Sequence, residues 1–140
     1  MKHCPMHLSI PVSSLAGARR FYGQLLGCAE GRSATDRVDF DFFGNHLVAH
    51  LEVTEAEHRT RVVISGGYAT PVRHFGVLVD RGVWQDIADR LRSAGTRFAL
   101  EPQVIFPGEV REQAIFLAED DCGNFVEFKS QPADRVFARR

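Results

Sequence analysis

Four side chains in this 140-residue sequence have metal-ligand chemistry at repeated places: His7 and His74, then His50 and Glu127. His7 opens HLSIPVSSLAGARRFYGQLLG, residues 7–27, and His74 opens HFGVLVDRGVWQDIADRLRSAG, residues 74–95, at almost the same length. Each segment reads as a strand that starts on histidine, followed by a helix that stops at glycine. Each half then continues into short alternating strands and a Gly-Asn turn, Gly44-Asn45 or Gly123-Asn124, beyond which stands His50 or Glu127. Imidazole and carboxylate are both ligands for divalent first-row metals. Two copies of one module, each with two such groups, point to a metal site built about a pseudo-two-fold axis.

The elements that must position these groups follow from hydrophobic periodicity. Leu8, Ile10 and Val12 alternate with His7, Ser9 and Pro11, the period of a half-buried strand. Ser13 or Ser14 is placed to cap the next helix, where Leu15, Ala18, Phe21, Tyr22, Leu25 and Leu26 recur at helical spacing until Gly27. The second module repeats this with Phe75, Val77 and Val79, a cap at Asp80, then Val83, Ile87, Leu91 and Gly95. Strands are expected near residues 28–33, 37–43 and 46–53 in the first half, and near 97–106, 112–118 and 124–130 in the second. Each half therefore reads β-α-β-β-β. Module one covers about residues 5–53 and module two about 72–130, within one domain spanning 1–140. Residues 54–71 are polar, carry Gly66-Gly67 and lack a clear period, so they read as a connection with a loose helix or a mobile lid. Residues 131–140 read as a surface tail able to dock as a short helix.

Side-chain parity links these elements to chemistry. With the helices packed on the Leu8/Ile10 and Phe75/Val77 faces, His7 and His74 fall on the opposite, concave face. In the last strand of each half, His46, Val48 and His50 alternate with Leu47, Ala49 and Leu51, and Phe125, Glu127 and Lys129 alternate with Val126 and Phe128. The pseudo-symmetry pairs His7 with His74 and His50 with Glu127, although His50 lies two residues further past its turn. Taken singly, a strand histidine is more often structural and a strand glutamate more often faces solvent. The joint pattern carries the metal reading.

Composition excludes several other functions. Seventeen basic and eighteen acidic residues leave no broad basic field for phosphate backbones, so nucleic acid is not an expected partner. The three cysteines, Cys4, Cys28 and Cys122, are widely spaced without a C-x-x-C, which fits a reducing compartment. No apolar run reaches membrane length and no signal-peptide pattern is present, so a cytoplasmic protein is expected.

The opening HLSIPVSSLAGARRFYGQLLGC, the central HFGVLVD and the string DDCGNFVEFK together resemble the vicinal oxygen chelate superfamily of glyoxalase I, extradiol dioxygenases and fosfomycin and bleomycin resistance proteins. The last string is similar to that superfamily's D-P-x-G-N-x-x-E signature, with Asp121 where proline is usual. The resemblance covers roughly residues 5 to 130. It implies an α+β fold of two tandem βαβββ modules forming a cupped mixed β-sheet around a metal site. Its ligand positions match His7, His74 and Glu127 here. Two imidazoles and one carboxylate leave open positions on an octahedral ion, which suits Fe(II) first, with Mn(II), Zn(II) or Ni(II) as alternatives.

His50 divides the reactions that the resemblance implies. In glyoxalase I-like enzymes the equivalent place holds a glutamate that joins the metal. In extradiol dioxygenases the corresponding strand offers a histidine beside the open positions, suited to acid/base work near neutral pH. His46 is the weaker substitute on the same face. Extradiol enzymes also place a tyrosine about ten residues before the glutamate, where this chain reads AIFLAEDD. Tyr22 is expected in the core, and Tyr68 can reach the site only if the connection folds over it. Arg73 and Arg111 have the chemistry to bind a substrate carboxylate, although surface placement is the simpler reading for both.

The leading expectation is an Fe(II)-dependent dioxygenase acting on a substrate with vicinal oxygens, with His7, His74 and Glu127 on the metal, and His50 and Glu127 as the catalytic pair. In the alternative, a glyoxalase-like lyase or isomerase, His50 is a fourth ligand and Glu127 shuttles a proton. A third is a metal-free drug- or metabolite-binding resistance protein. The expected partners are a small-molecule substrate and a second copy of the chain in a homodimer.

Overall fold

The computed structural model describes residues 4–57 and 59–137. The chain divides into two compact units, one made of residues 1–59 with 120–124 and the other of 60–119 with 125–140.

The first unit carries β1 (His7–Val12), a helix α1 (Leu15–Ala18) that runs on in π-helical turns over Arg19–Leu25, then β2 (Ala29–Ser33), β3 (Arg37–Phe42), β4 (Asn45–Leu51) and the short α2 (Val53–Ala56). Its strands form a four-stranded mixed sheet in the order β1-β4-β3-β2. Of the two serines expected as caps, Ser14 caps the helix, its Oγ accepting from the Gly17 N–H at 3.1 Å. The helix lays Phe21 and Tyr22 on a sheet face lined by Ile10, Val12, Phe40, Phe42 and Leu47, all buried. Burying each such side chain is worth about 1.5–3 kcal/mol. Tyr22 is core as expected, and its hydroxyl donates to the Asp120 carboxylate at 2.8 Å. Burial raises the Asp120 carboxyl above its usual range. Donors from Asn124, Tyr22 and the Cys122 backbone offset part of that rise.

The second unit carries β5 (Val62–Ser65), β6 (Tyr68–Pro71), β7 (Phe75–Leu78), α3 (Arg81–Ser93), β8 (Phe98–Ile105), β9 (Gln113–Glu119) and β10 (Phe125–Ser130). Its sheet repeats the topology of the first, in the order β7-β10-β9-β8. From α3, Trp84, Ile87 and Leu91 are buried on the side of Phe116 and Phe128, whose rings stack at 5.1 Å. The Trp84 indole N–H donates to the Phe128 carbonyl at 3.1 Å, so the one polar atom of this buried ring is satisfied. Asp80 occupies the N-cap position, but its side chain makes no capping bond.

The α+β class and the β-α-β-β-β order of each half agree with the sequence expectation. The connection agrees in part, since the short α2 over Val53–Ala56 stands at its start, and departs from the expectation beyond it. Residues 54–71 hold a β-hairpin, β5 with β6, closed by Gly66-Gly67 with φ of 59° and 88°. Successive positive φ values are what a tight hairpin turn demands and glycine tolerates. The tail forms one 3-10 turn over Ala133–Arg135, and residues 138–140 lie outside the described residues. Among the described residues no helix is long and apolar enough to cross a membrane.

Candidate functional site

The second unit contains a cavity of about 590 Å³ on the face of its sheet opposite α3. That volume lies within the roughly 300–1,000 Å³ of small-molecule sites. His74 and Glu127 line it together, with the His74 Nε2 3.6 Å from the Glu127 Oε2. The His74 Nδ1–H donates to the Pro71 carbonyl at 2.7 Å, which leaves Nε2 as the ring nitrogen beside the carboxylate. A backbone acceptor on the far nitrogen is the usual support of a metal-binding imidazole. Two ligands each about 2.1 Å from one ion stand about 3.0–3.4 Å apart at octahedral or tetrahedral angles. The observed spacing needs only a slight closure to meet this, so the donor pair fits a divalent metal. Lys129 is one pleat further along β10, its Nζ 3.3 Å from the same Glu127 oxygen.

Gly76 makes this closeness of His74 and Glu127 attainable. It pairs directly with Glu127 in the parallel β7–β10 register, and a Cβ there would collide with the Glu127 backbone. The apolar wall of the cavity comes from Leu100, Ile105, Phe106, Ile115 and Leu117. Tyr68 also lines it from the β5–β6 hairpin, its ring 6.4 Å from Phe106 in an edge-on contact. Arg111 is exposed, as its sequence reading as a surface residue has it, and also lines the cavity. Its guanidinium lies 3.8 Å over the Phe106 ring while its Nε donates to Glu109 at 2.6 Å.

In the first unit, His7 stands beside His46 across the parallel β1–β4 pair, and their Nδ1 atoms are 2.9 Å apart. The His46 Nε2 is in turn 3.1 Å from the Asp39 Oδ2. Asp39 is buried, its side chain only 7% exposed. Burial opposes its ionisation, but the His46 hydrogen bond and the charges of His46, Arg32 and Arg37 outweigh that and hold the carboxyl below its usual value. Sequence reasoning ranked His46 below His50 and assigned Asp39 no role. A usable signal was present: Asp39 and His46 flank the Gly44-Asn45 turn with matching parity.

The strand registers correct one pairing. Two residues beyond each opening histidine, Gly76 pairs with Glu127 in the second unit and Ser9 pairs with Val48 in the first. Two residues further, Leu78 pairs with Lys129 and Pro11 with His50. The counterpart of Glu127 is therefore Val48. His50 matches Lys129, about 7 Å further along its strand, a two-residue step at about 3.3 Å per residue. It is exposed at the end of β4, opposite Arg37 of β3. The structure thus brings His74 together with Glu127, and His7 together with His46 and Asp39. Among the described residues no group of three or more histidine, cysteine, aspartate or glutamate side chains is disposed to hold a metal ion.

The model of the Glyoxalase/Bleomycin resistance protein/Dioxygenase superfamily matches residues 5–128. The chain belongs to that superfamily. A crystal structure of a glyoxalase/bleomycin resistance protein/dioxygenase from Alicyclobacillus acidocaldarius is 31% identical, with a TM-score of 0.77 over 99% of this chain and 100% of that one. The genomically encoded fosfomycin resistance protein FosX from Listeria monocytogenes shares the fold at 13% identity, TM-score 0.73, over 96% of this chain and 98% of that chain. The oxidase ChaP-H2 does so at 19% identity, TM-score 0.60, over 94% and 96%. Comparison with curated proteins returns no match.

Proposed function

We propose that the protein is a metal-dependent enzyme for a small molecule with two neighbouring oxygens, an extradiol-type dioxygenase, with residues 1–140 serving as one domain. The observation that carries this reading is the His74–Glu127 pair: an imidazole held through Nδ1 by a backbone carbonyl, with its Nε2 3.6 Å from a carboxylate, in a cavity of substrate size. His7 completes the two-histidine, one-carboxylate set as the third ligand. Val48 at the place symmetric to Glu127 supports three ligands with open positions over a four-ligand glyoxalase-type set.

A divalent metal, Fe(II) in this reading with Mn(II), Zn(II) or Ni(II) as alternatives, would supply Lewis acidity to the paired oxygens and redox chemistry toward O2. This chain's residues do the rest. The wall of Leu100, Ile105, Phe106, Ile115 and Leu117 offers an apolar surface to a flat ring. Lys129 places a positive charge beside Glu127, where a substrate that loses a proton on binding gains from it. His50 is proposed as the acid/base that takes that proton and returns it. The assembly that goes with this reading is a homodimer.

The test is metal analysis of protein purified anaerobically, then oxygen uptake after Fe(II) loading with catechols and with 2-oxoaldehyde–thiol adducts. Catechol-dependent oxygen uptake that falls at least tenfold in His50→Ala is expected. Adduct turnover without oxygen uptake would move the assignment to the lyase or isomerase class. Absence of any bindable metal would refute the enzyme reading and leave a sequestering protein.

A further inference from the structure

The two opening histidines are held by different devices. His74 is oriented by a backbone carbonyl, that of Pro71. His7 instead ends a chain of side chains, Asp39 to His46 to His7, with contacts of 3.1 Å and 2.9 Å and the two rings 4.7 Å apart. The donor directions in this chain follow from its acceptor-only end. An ionised carboxylate has no proton to give, so the His46 Nε2–H donates to Asp39. With the His46 ring neutral, its lone pair is then on Nδ1. A 2.9 Å contact between two Nδ1 atoms needs one hydrogen, and it must come from His7. The His7 Nδ1–H is thereby fixed, and its Nε2 is left as an open lone pair.

The fold does not require this relay. In the second unit the counterparts of His46 and Asp39, by register, are Phe125 and Leu117. The same sheet is built there without a histidine or a carboxylate at either place. A buried aspartate and a second histidine are costly to place in a sheet for packing alone. One Asp39 oxygen, Oδ1, is buried without a partner, so the carboxylate is kept there at a net cost in hydrogen bonding.

We propose that Asp39 and His46 are positioning residues that lock His7 in the Nδ1–H tautomer and so deliver its Nε2 as a metal ligand, an inference that rests on the metal reading above. Outer partners of this kind typically contribute about 10–100-fold in metal affinity.

The experiment has two independent readouts on the full chain. Long-range proton–nitrogen correlation of the histidine rings in metal-free protein reports the His7 tautomer directly, and competition titration with Zn(II) reports affinity. Wild type is expected to show His7 as Nδ1–H. His46→Ala is expected to shift His7 toward Nε2–H and to weaken zinc about 10–100-fold. His46→Gln keeps one acceptor for His7 and one donor for Asp39, and is expected to restore the tautomer and most of the affinity. A wild-type His7 found as Nε2–H, or unchanged zinc affinity in a folded His46→Ala, would overturn the proposal. A tautomer that switches as expected in a protein that takes up no zinc would support the lock on His7 and overturn the metal reading.

Discussion

Gly76→Ala converts the geometry of the second unit into a measurable loss. A Cβ at residue 76 would collide with the Glu127 carbonyl oxygen and stand 2.6 Å from its carbonyl carbon and 3.0 Å from its Cα. Non-bonded carbons need about 3.5 Å, so β7 and β10 must move apart by roughly 1 Å. Overpacking costs about 1–3 kcal/mol and each ladder hydrogen bond lost a further 0.5–1.5 kcal/mol or so. The expected loss of stability is therefore about 2–4 kcal/mol. The same movement carries Glu127 away from His74, whose Nε2 is 3.6 Å from its carboxylate. A widening by roughly 1 Å takes the pair past the ~4.2 Å that two ligands at about 2.1 Å can span on one ion. Urea unfolding followed by circular dichroism measures the first effect and Zn(II) competition titration the second. A stability loss of 2–4 kcal/mol or so with zinc binding weakened at least about hundredfold is expected. A loss below about 1 kcal/mol together with wild-type zinc affinity would refute the reasoning.

Three further predictions concern charge and burial. Tyr22→Phe removes a buried 2.8 Å hydrogen bond to the Asp120 carboxylate and should lower urea-unfolding stability by about 1.5–3 kcal/mol, whereas a loss under 0.5 kcal/mol or so would contradict that bond. Burial pushes the Cys28 thiol from 9.0 up to about 12, and burial followed by the Asp120 charge raises the Tyr22 hydroxyl well above 10.0. Both groups keep their protons in the folded protein while the unfolded chain loses them. Stability should accordingly be intact below pH 9 and fall above it, by about 1.4 kcal/mol per pH unit for Cys28 and as much again for Tyr22 beyond pH 10. Urea titrations from pH 8 to 11 test this, and Cys28→Ala should flatten the first part of the decline. Lys129→Met removes a positive charge 3.3 Å from the Glu127 carboxylate. At roughly 5 Å from a dication in a water-like dielectric, that charge costs about 1.7 kcal/mol, so zinc should bind more than about tenfold tighter, and weaker binding would show that Lys129 assists the site.

What the sequence made legible was local. Leu8, Ile10 and Val12 alternate because one sheet face is covered by a helix, and that alternation also shows which way His7 points. The same parity argument places His74 and Glu127 on one face of the second sheet, and the structure puts them on one cavity. The β5–β6 hairpin is not legible in the sequence because its strands have four residues each and the apolar side chains of β5 are exposed, Ile64 to 75%, so no buried face imposes a period there. The His7–His46–Asp39 chain depends on how β1 registers against β4 and β4 against β3, a non-local property that composition does not encode. The same registers set His50 beside Pro11 and leave Val48 opposite Ser9, an offset visible in the count from the turn but without consequence until the strands are paired.

The central claim is that His7, His74 and Glu127 hold one divalent metal ion. Calorimetric titration of Zn(II) into metal-free wild type and into His7→Ala, His74→Ala and Glu127→Ala tests it most directly. The account predicts one ion per chain in wild type and an affinity at least about hundredfold weaker in each variant that remains folded. Wild-type affinity retained in all three, or no zinc bound by the unaltered chain, would contradict it.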